Sequence, residues 1–289
     1  MLRFNCVSKH YGKKVGVEAL SFQLSEGEVL AVVGTNGSGK TTTFRLLLGL
    51  LSPDKGSIEI TDNKRNQFGY LPEERSLLKE LTVFEHISYL GRLKQMKHEE
   101  IELSYQKWEK ILKIKEYRKR RIKELSKGNQ QKVQLLCCLI HNPKIMILDE
   151  PFTGLDQDNI YLFKRIIQHL KSEGKIILLS SHQYDHIEDF SDKVLVLCQG
   201  IEKYFGTIQA LKERYRKYYI TMNLEDYRKG KTERLKEYQL LGRKIKLLVE
   251  EEEYARKYAI WKLYNGQVNY LKFEDACLVD VIKELTLHD

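Results

Sequence analysis

Cysteine and proline are scarce in this chain of 289 residues, with five of the first and four of the second. The cysteines, Cys6, Cys137, Cys138, Cys198 and Cys277, form no CxxC pair. Their odd number and mostly apolar neighbours point to reduced thiols and argue against a disulfide framework. So few prolines, with no low-complexity tract and no internal repeat, leave no obvious flexible linker. Long apolar runs are also missing. VLAVV and VQLLCCLI fall far short of the roughly 20 residues that span a bilayer. The opening MLRFNCVSKHYGKKVG has neither the apolar stretch nor the small-residue cleavage site of a secretory signal.

What is present is a well-charged chain, 42% hydrophobic and 31% charged, with a formal net charge of +9. That balance belongs to a folded globular protein and excludes intrinsic disorder. The positive excess favours anionic company, whether nucleotide phosphate, nucleic acid or lipid headgroup.

Strand and helix patterns alternate along the first 208 residues. LRFNCV and EALSFQL read as strands of period two, and EVLAVVG as a fully buried strand. TTTFRLLLGLL reads as an apolar helix stopped near Ser52-Pro53, followed by short strands at SIEI and FGYL. VFEHISYLGRLKQM and EEIELSYQKWEKILKI carry apolar residues at helical spacing, which marks a helical insertion over about residues 82–142. A helix over Ser126–Ile140, strand KIMILD, helix NIYLFKRIIQHLKSE stopped by Gly174, strand KIILLSS, a short helix DHIEDF and strand KVLVLC follow. This alternation predicts an α/β fold with a mainly parallel sheet. Beyond about Gln209 the pattern becomes that of a small α+β domain, residues 209–289. It has a basic helix ALKERYRKYY, strands YITMNL and KIKLLVE, a hairpin across Asn265-Gly266 within AIWKLYNGQVNYLKF, and a closing helix EDACLVDVIKEL.

The run Gly34-Thr35-Asn36-Gly37-Ser38-Gly39-Lys40-Thr41 fits GxxxxGK[ST] between a buried strand and a helix. Its glycines let backbone N–H groups close around phosphate, and the helix N-terminus adds a favourable dipole. Lys40 can reach the β- and γ-phosphates, and the Thr41 hydroxyl suits Mg²⁺, a hard cation that prefers oxygen. Thr42, next in line, belongs to the same nucleotide set. KIMILDE ends a buried strand in Asp149 and Glu150, at the sheet edge where α/β folds bind ligands. Asp149 is placed to hold Mg²⁺ through water and Glu150 to polarise an attacking water. His182 follows strand IILLSS at the same edge; taken alone, a histidine there is more often structural.

These motifs, with Leu125-Ser126-Lys127-Gly128-Asn129-Gln130-Gln131-Lys132 just before the acidic strand, resemble those of the ABC ATPases, whose signature is usually LSGGQ. The resemblance covers about residues 1–208. It implies a P-loop NTPase core with an antiparallel β subdomain and an inserted helical subdomain. By the same likeness Tyr11 falls where an adenine-stacking aromatic stands, and Glu73 in FGYLPEE falls on the loop that usually carries glutamine, where a carboxylate can bind Mg²⁺ or water. Gly154-Leu155-Asp156 resembles the D-loop and His182 the switch histidine. The implied catalytic set is Lys40, Glu150 and His182. Two cassettes, identical or paralogous, would pair head to tail, with ATP on one loop capped by Ser126 and Gly128 of the other and with Asp156 nearby. Closure on ATP and opening after hydrolysis would then drive a polytopic membrane permease, with the chain peripheral at the cytoplasmic face of the membrane.

Lys127, Asn129 and Glu73 depart from the usual residues and resemble bacterial drug-, peptide- and sodium-efflux cassettes, which also carry a C-terminal appendage of this size. That favours an exporter over an importer. A soluble ABC ATPase acting on ribosomes or DNA is the alternative of another class. Such proteins usually carry two cassettes or long coiled coils, and this chain has one cassette and no sustained heptad run. Between Arg92 and Lys123 there are 12 Lys or Arg against 5 Glu. The run reads equally as a face toward the permease and anionic headgroups and as a solvated helix face. No nucleic-acid partner is expected, because no binding fold or aromatic RNA motif accompanies the charge. Tyr258, Trp261, Tyr264 and Tyr270 read as the small core of the C-terminal domain.

Overall fold

The computed structural model describes residues 1–61, 67–182, 184, 187–228, 236–265 and 268–287. Its residues group into two compact units, Met1–Ile208 with Leu285–Asp289, and Gln209–Glu284.

In the first unit the strands are β1 (Leu2–Tyr11), β2 (Lys14–Leu24), β3 (Val29–Val33), β4 (Lys55–Ile60), β5 (Phe68–Leu71), β6 (Ile145–Leu148), β7 (Ile176–Ser180), β8 (Lys193–Cys198) and β9 (Ile201–Thr207). They form one sheet in the order β4-β1-β2-β9-β8-β3-β7-β6-β5. From β8 through β3, β7 and β6 to β5 all pairings are parallel, whereas β1 runs antiparallel to β2 and β4. The physical cause is in the side chains. All residues of β3, β6 and β7 are buried, as strands covered on both faces must be. β1 and β2 alternate buried with half-buried or exposed positions, the mark of a sheet with one wet face. Phe4 stacks on Phe22 across the β1–β2 pair, with ring centroids 4.4 Å apart. The core runs from these residues through Leu30, Val32 and Phe44 to Ile147 and Leu178.

Helix α1 (Lys40–Leu47) is shorter than the sequence predicts. It ends before Gly49, whose φ of 70° takes the left-handed turn that glycine allows at a helix end, several residues ahead of Pro53. The helical insertion consists of α2 (Val83–Leu93), α3 (His98–Leu112) and α4 (Lys127–Leu139). Thr82 and Glu85 form a reciprocal capping box that starts α2. Three cations of the basic run after α3, Arg118, Arg121 and Lys123, pair with nearby glutamates. The Arg118 guanidinium makes a two-pronged ion pair with Glu102, at 2.8 and 2.5 Å, and lies 3.8 Å over the Phe84 ring. Lys123 and Arg121 both meet Glu80, at 2.7 and 3.9 Å. These contacts engage part of the run within the fold. Helix α5 (Gln157–Ser172) leads into β7 and buries Ile160, Phe163, Ile166, Ile167 and Leu170. The short helix predicted at Asp185–Phe190 is not borne out where the structure describes it. Ile187–Phe190 form turns, and Asp185 and His186 lie outside the described residues.

The second unit holds α6 (Ile208–Arg214) from Gln209 onward, β10 (Tyr218–Asn223), α7 (Leu224–Arg228), β11 (Lys236–Leu241), β12 (Lys244–Val249), α8 (Glu252–Tyr264), β13 (Leu271–Asp275) and α9 (Leu278–Leu287) as far as Glu284. Its sheet is antiparallel in the order β11-β12-β10-β13. The predicted hairpin across Asn265-Gly266 is overturned. Residues Glu252–Tyr264 are a helix with Asn265 as its C-cap, and β13 pairs with β10 instead. Gly266 and Gln267 lie outside the described residues. Ala255, Tyr258, Ala259 and Lys262, at positions i, i+3, i+4 and i+7, are the buried seam of α8. Tyr258 therefore joins the small core as expected. Trp261 and Tyr264 do not, because the helix turns them outward, and Tyr264 is 89% exposed. Tyr270 is half-buried.

Candidate functional site

A cavity of about 280 Å³ opens at the carboxyl edge of the parallel strands. It is lined by the loop between β3 and α1 (Asn36, Gly37, Ser38, Gly39, Lys40, Thr41 and Thr42), by Glu73 after β5, by Asp149 and Glu150 after β6, and by His182 after β7. The β1–β2 turn closes the other side with Tyr11, Lys14, Val15 and Gly16. Residues from five stretches of sequence thus converge on one space. Four of them do so because parallel strands put their carboxyl ends on one edge.

The loop owes its shape to its glycines. A Cβ on Gly34 would stand 2.2 Å from the Leu197 carbonyl oxygen, and one on Gly39 would stand 2.6 Å from that of Gly16. Both glycines also have positive φ, 151° and 109°, which other residues rarely adopt. Gly34 and Thr35 do not line the cavity. Their carbonyls accept hydrogen bonds from Lys40 Nζ at 2.8 and 3.1 Å. The ammonium is thereby held over the loop with only 8% of Lys40 exposed. Burial lowers its pKa, and the nearby carboxylates of Glu150, Asp149 and Glu73 oppose that shift. No side chain caps the N-terminus of α1, so the free N–H groups of its first turn are available to an anion.

The acidic pair is built from β6 and β7 together. Ser180, the last residue of β7, donates its hydroxyl to Asp149 Oδ1 at 2.6 Å and accepts the backbone N–H of Glu150 at 2.9 Å. Burial raises the Asp149 carboxyl pKa, and the Ser180 hydrogen bond works against that rise. Glu150 has a left-handed backbone, φ 50°, a strained conformation for a residue with a side chain. That turn aims its carboxylate into the cavity. The His182 backbone N–H donates to Glu150 Oε2 at 3.2 Å, and His182 Nε2 stands 3.4 Å from Oε1, which makes no hydrogen bond. Burial raises the Glu150 pKa, and His182 is the main influence holding it down. A carboxylate that lines the cavity can accept a proton from a water bound there.

Tyr11 is 44% exposed at the end of β1. Its ring edge comes so near Gly16 that a Cβ there would stand 2.8 Å from Cε2. It forms an open aromatic platform beside Thr42. Thr41, Glu73 and Asp149 bring one hydroxyl and two carboxylates to the same cavity. Among the described residues no cluster of three or more His, Cys, Asp or Glu side chains can hold a metal alone. The oxygen set fits Mg²⁺ that completes its shell with substrate phosphate.

Ser126, Gly128 and Asp156 lie elsewhere. Ser126 is the exposed N-cap of α4, accepting the Asn129 N–H at 3.3 Å. Asp156 is the N-cap of α5, accepting the Asn159 N–H at 2.9 Å. Neither they nor Gly128 line the cavity. Helix α4 does reach the site from behind. Gln131 Nε2 donates to the Pro151 carbonyl at 3.4 Å, and Gln134 Nε2 donates to those of Pro72 and Glu74 at 2.8 and 3.3 Å. The sequence gives no role to Ser180 or Gln134, and names Gln131 only within the signature string. The only available signal was a polar residue set within an apolar strand or an apolar helix face.

Residues 17–153 match the family described as ABC transporter. An uncharacterized ABC transporter ATP-binding protein of Methanocaldococcus jannaschii is 46% identical over 70% of this chain and 76% of its own length. The similarly described YhaQ of Bacillus subtilis is 34% identical over 100% of this chain and 96% of its own. A solved ATP-binding subunit of an ABC transporter superposes with a TM-score of 0.69 at 30% identity, covering 74% of this chain and 93% of that one. The order of motifs, the phosphate loop, the acidic strand end and these matches lead to one conclusion: the chain belongs to the ATP-binding cassettes of ABC transporters, a family that binds and hydrolyses ATP.

Proposed function

We propose that this chain hydrolyses Mg²⁺-bound ATP to power export of a drug, peptide or ion through a separate membrane permease, working as a pair of cassettes. The observation that carries the reading is the convergence of Lys40, Thr41, Glu73, Asp149, Glu150, His182 and Tyr11 on one cavity. In this scheme Tyr11 stacks on adenine. The Gly34–Thr41 loop, Thr42 and the α1 N-terminus hold the phosphates, and Lys40 neutralises the β- and γ-oxygens. Thr41, Asp149 and Glu73 hold the cation, which when bound draws negative charge off the phosphates. Glu150 takes the proton of the attacking water, and His182 steadies Glu150 and the γ-phosphate. Such chemistry is mostly positioning and electrostatics.

Ser126 and Gly128 of a second copy cap the γ-phosphate at the N-terminus of α4, with Asp156 beside that junction. ATP then joins the two cassettes and hydrolysis releases them. Among the described residues no helix is long and apolar enough to cross a membrane, so transport needs a permease that holds this chain at the cytoplasmic face. The export direction draws on the GYLPEE and LSKGNQQK strings. It also draws on the Nod factor export ATP-binding protein I of Sinorhizobium fredii, 33% identical over 71% of this chain and 62% of that protein.

The test is to trap the Glu150→Gln variant with ATP in its native cell, solubilise it and identify what co-purifies. A polytopic membrane protein at about equal stoichiometry supports the reading, and outward, ATP-driven transport by the reconstituted pair completes it. Ribosomal or DNA-bound partners without a permease overturn the transport assignment.

A further inference from the structure

Glu73 has little of its own to fix it. It is exposed, on a loop between β5 and α2 that carries no regular structure. Within the loop the Ser76 hydroxyl donates to the Glu74 carbonyl at 3.4 Å, a long bond, and Arg75 buries an Nε that has no hydrogen-bond partner among the described residues. The stronger hold on this loop comes from another element. Gln134 projects from α4, 3% exposed, and its Nε2 donates to the carbonyls on both sides of Glu73, Pro72 at 2.8 Å and Glu74 at 3.3 Å. Its Oε1 is buried and has no hydrogen-bond partner among the described residues. Only the donor end of the amide is used. The reverse orientation would set an oxygen against two carbonyl oxygens, so a side chain of the same shape without the N–H groups cannot replace it.

A buried amide with an idle acceptor is costly in packing terms, because an apolar residue of this size would fill the site with no unsatisfied oxygen. We infer that Gln134 is a positioning residue for ATP hydrolysis, clamping the Pro72 and Glu74 carbonyls so that Glu73 stays registered against Asp149 and Lys40 and linked to the helix that begins at Ser126. The inference rests on the proposed role of Glu73 in holding the cation or its water. Because α4 carries Ser126 at its start and Gln134 two turns later, a shift of the helix when a second copy engages Ser126 moves the Glu73 loop by the same amount. Gln131, one turn earlier, ties Pro151 to the same helix.

The experiment uses the purified full chain as Gln134→Leu, Gln134→Glu, Glu73→Ala and the Gln134→Leu/Glu73→Ala double variant. The readouts are kcat and KM for ATP, and amide hydrogen exchange of residues 72–76 without nucleotide. The expected result for Gln134→Leu is faster exchange confined to that loop, kcat lowered roughly tenfold or more by misplacement, and KM within about twofold of the parent. Gln134→Glu, which sets an acceptor against the same carbonyls, does at least as much damage. The double variant is then no slower than the slower single variant, since both act through one group. If Glu73→Ala alone keeps the parent kcat, the reading of Glu73 fails and the inference falls with it. If Glu73→Ala is slow but Gln134→Leu leaves kcat and loop exchange unchanged, or the two losses multiply, that reading stands and Gln134 is not its positioning residue.

Discussion

Ser180 sits at the end of β7 with its hydroxyl donated to Asp149 at 2.6 Å, while the same oxygen accepts the N–H of Glu150. One side chain from a neighbouring strand therefore fixes both members of the acidic pair. Ser180→Ala strands a buried carboxylate oxygen and a buried N–H, which costs about 1–3 kcal/mol of stability. Turnover falls as the pair loosens, and ATP affinity, set mainly by the phosphate loop, is retained. Denaturant unfolding and steady-state kinetics on the variant check this together. Unchanged stability would remove Ser180 from this role.

Lys40 and Glu150 separate binding from chemistry. Lys40→Ala removes the ammonium held over the loop by the Gly34 and Thr35 carbonyls, and nucleotide binding itself weakens. Glu150→Gln keeps the shape but loses the base, so hydrolysis slows by about 10²–10⁴-fold while ATP still binds. Calorimetric titration with ATP and single-turnover hydrolysis distinguish the two variants. Equal turnover in Glu150→Gln and the parent would take Glu150 out of the mechanism.

Tyr11 offers an exposed ring beside Thr42, with Gly16 beneath its edge. Tyr11→Ala lowers ATP affinity by about 1–3 kcal/mol if the ring stacks on adenine, taking nucleic-acid base stacking as the guide. Tyr11→Phe restores it. Inorganic triphosphate, which has no base, binds parent and Tyr11→Ala alike, and equal loss for both ligands would assign Tyr11 a structural role instead.

The ion pair of Glu102 with Arg118 predicts a pH dependence in the helical insertion. The two-pronged hydrogen bond from Arg118 is the main cause holding the Glu102 carboxyl down, from 4.5 to about 2. Because the folded value lies below the unfolded one, the stabilisation is complete above about pH 4.5 and fades as pH falls toward 2. The pair is partly exposed, 27% for the Glu102 side chain and 30% for Arg118, so solvent screening limits its worth to about 1 kcal/mol at neutral pH. Glu102→Gln is less stable than the parent by that amount at pH 7, and the gap narrows between pH 4.5 and 3. A gap that stays constant over this range contradicts the assignment.

Much of the first unit was legible in advance because its signals are local and strong. The buried strands VLAVV and IMIL are continuous apolar runs, and the phosphate loop is a contiguous string whose glycines are required by backbone geometry. The ends of α1 and the turn at Ile187–Phe190 were less legible. Gly49 ends α1 before the proline that the sequence offers, and Ile187–Phe190 form turns where the sequence suggests a short helix. In the second unit α8 was misread because Lys262 interrupts its apolar seam. That lysine is fully buried, its Nζ donating to the Asp226 carbonyl at 3.0 Å, and a charged residue at a core position hides the helical period. Asn265 then looked like the tip of a hairpin, although Asn is equally at home at a helix C-terminus.

By itself the sequence determined the phosphate loop, the acidic strand end, the order of the motifs and hence the chemistry, since each is written in adjacent residues whose backbone or charge admits few other uses. Tertiary structure alone decided which distant residues support them. Ser180 reaches Asp149 and Glu150 only because β7 lies beside β6, and Gln134 reaches the Glu73 loop only because α4 packs behind it. A hydrogen bond between residues 30 or 60 positions apart is set by which elements pack together, and no local pattern of side chains records that.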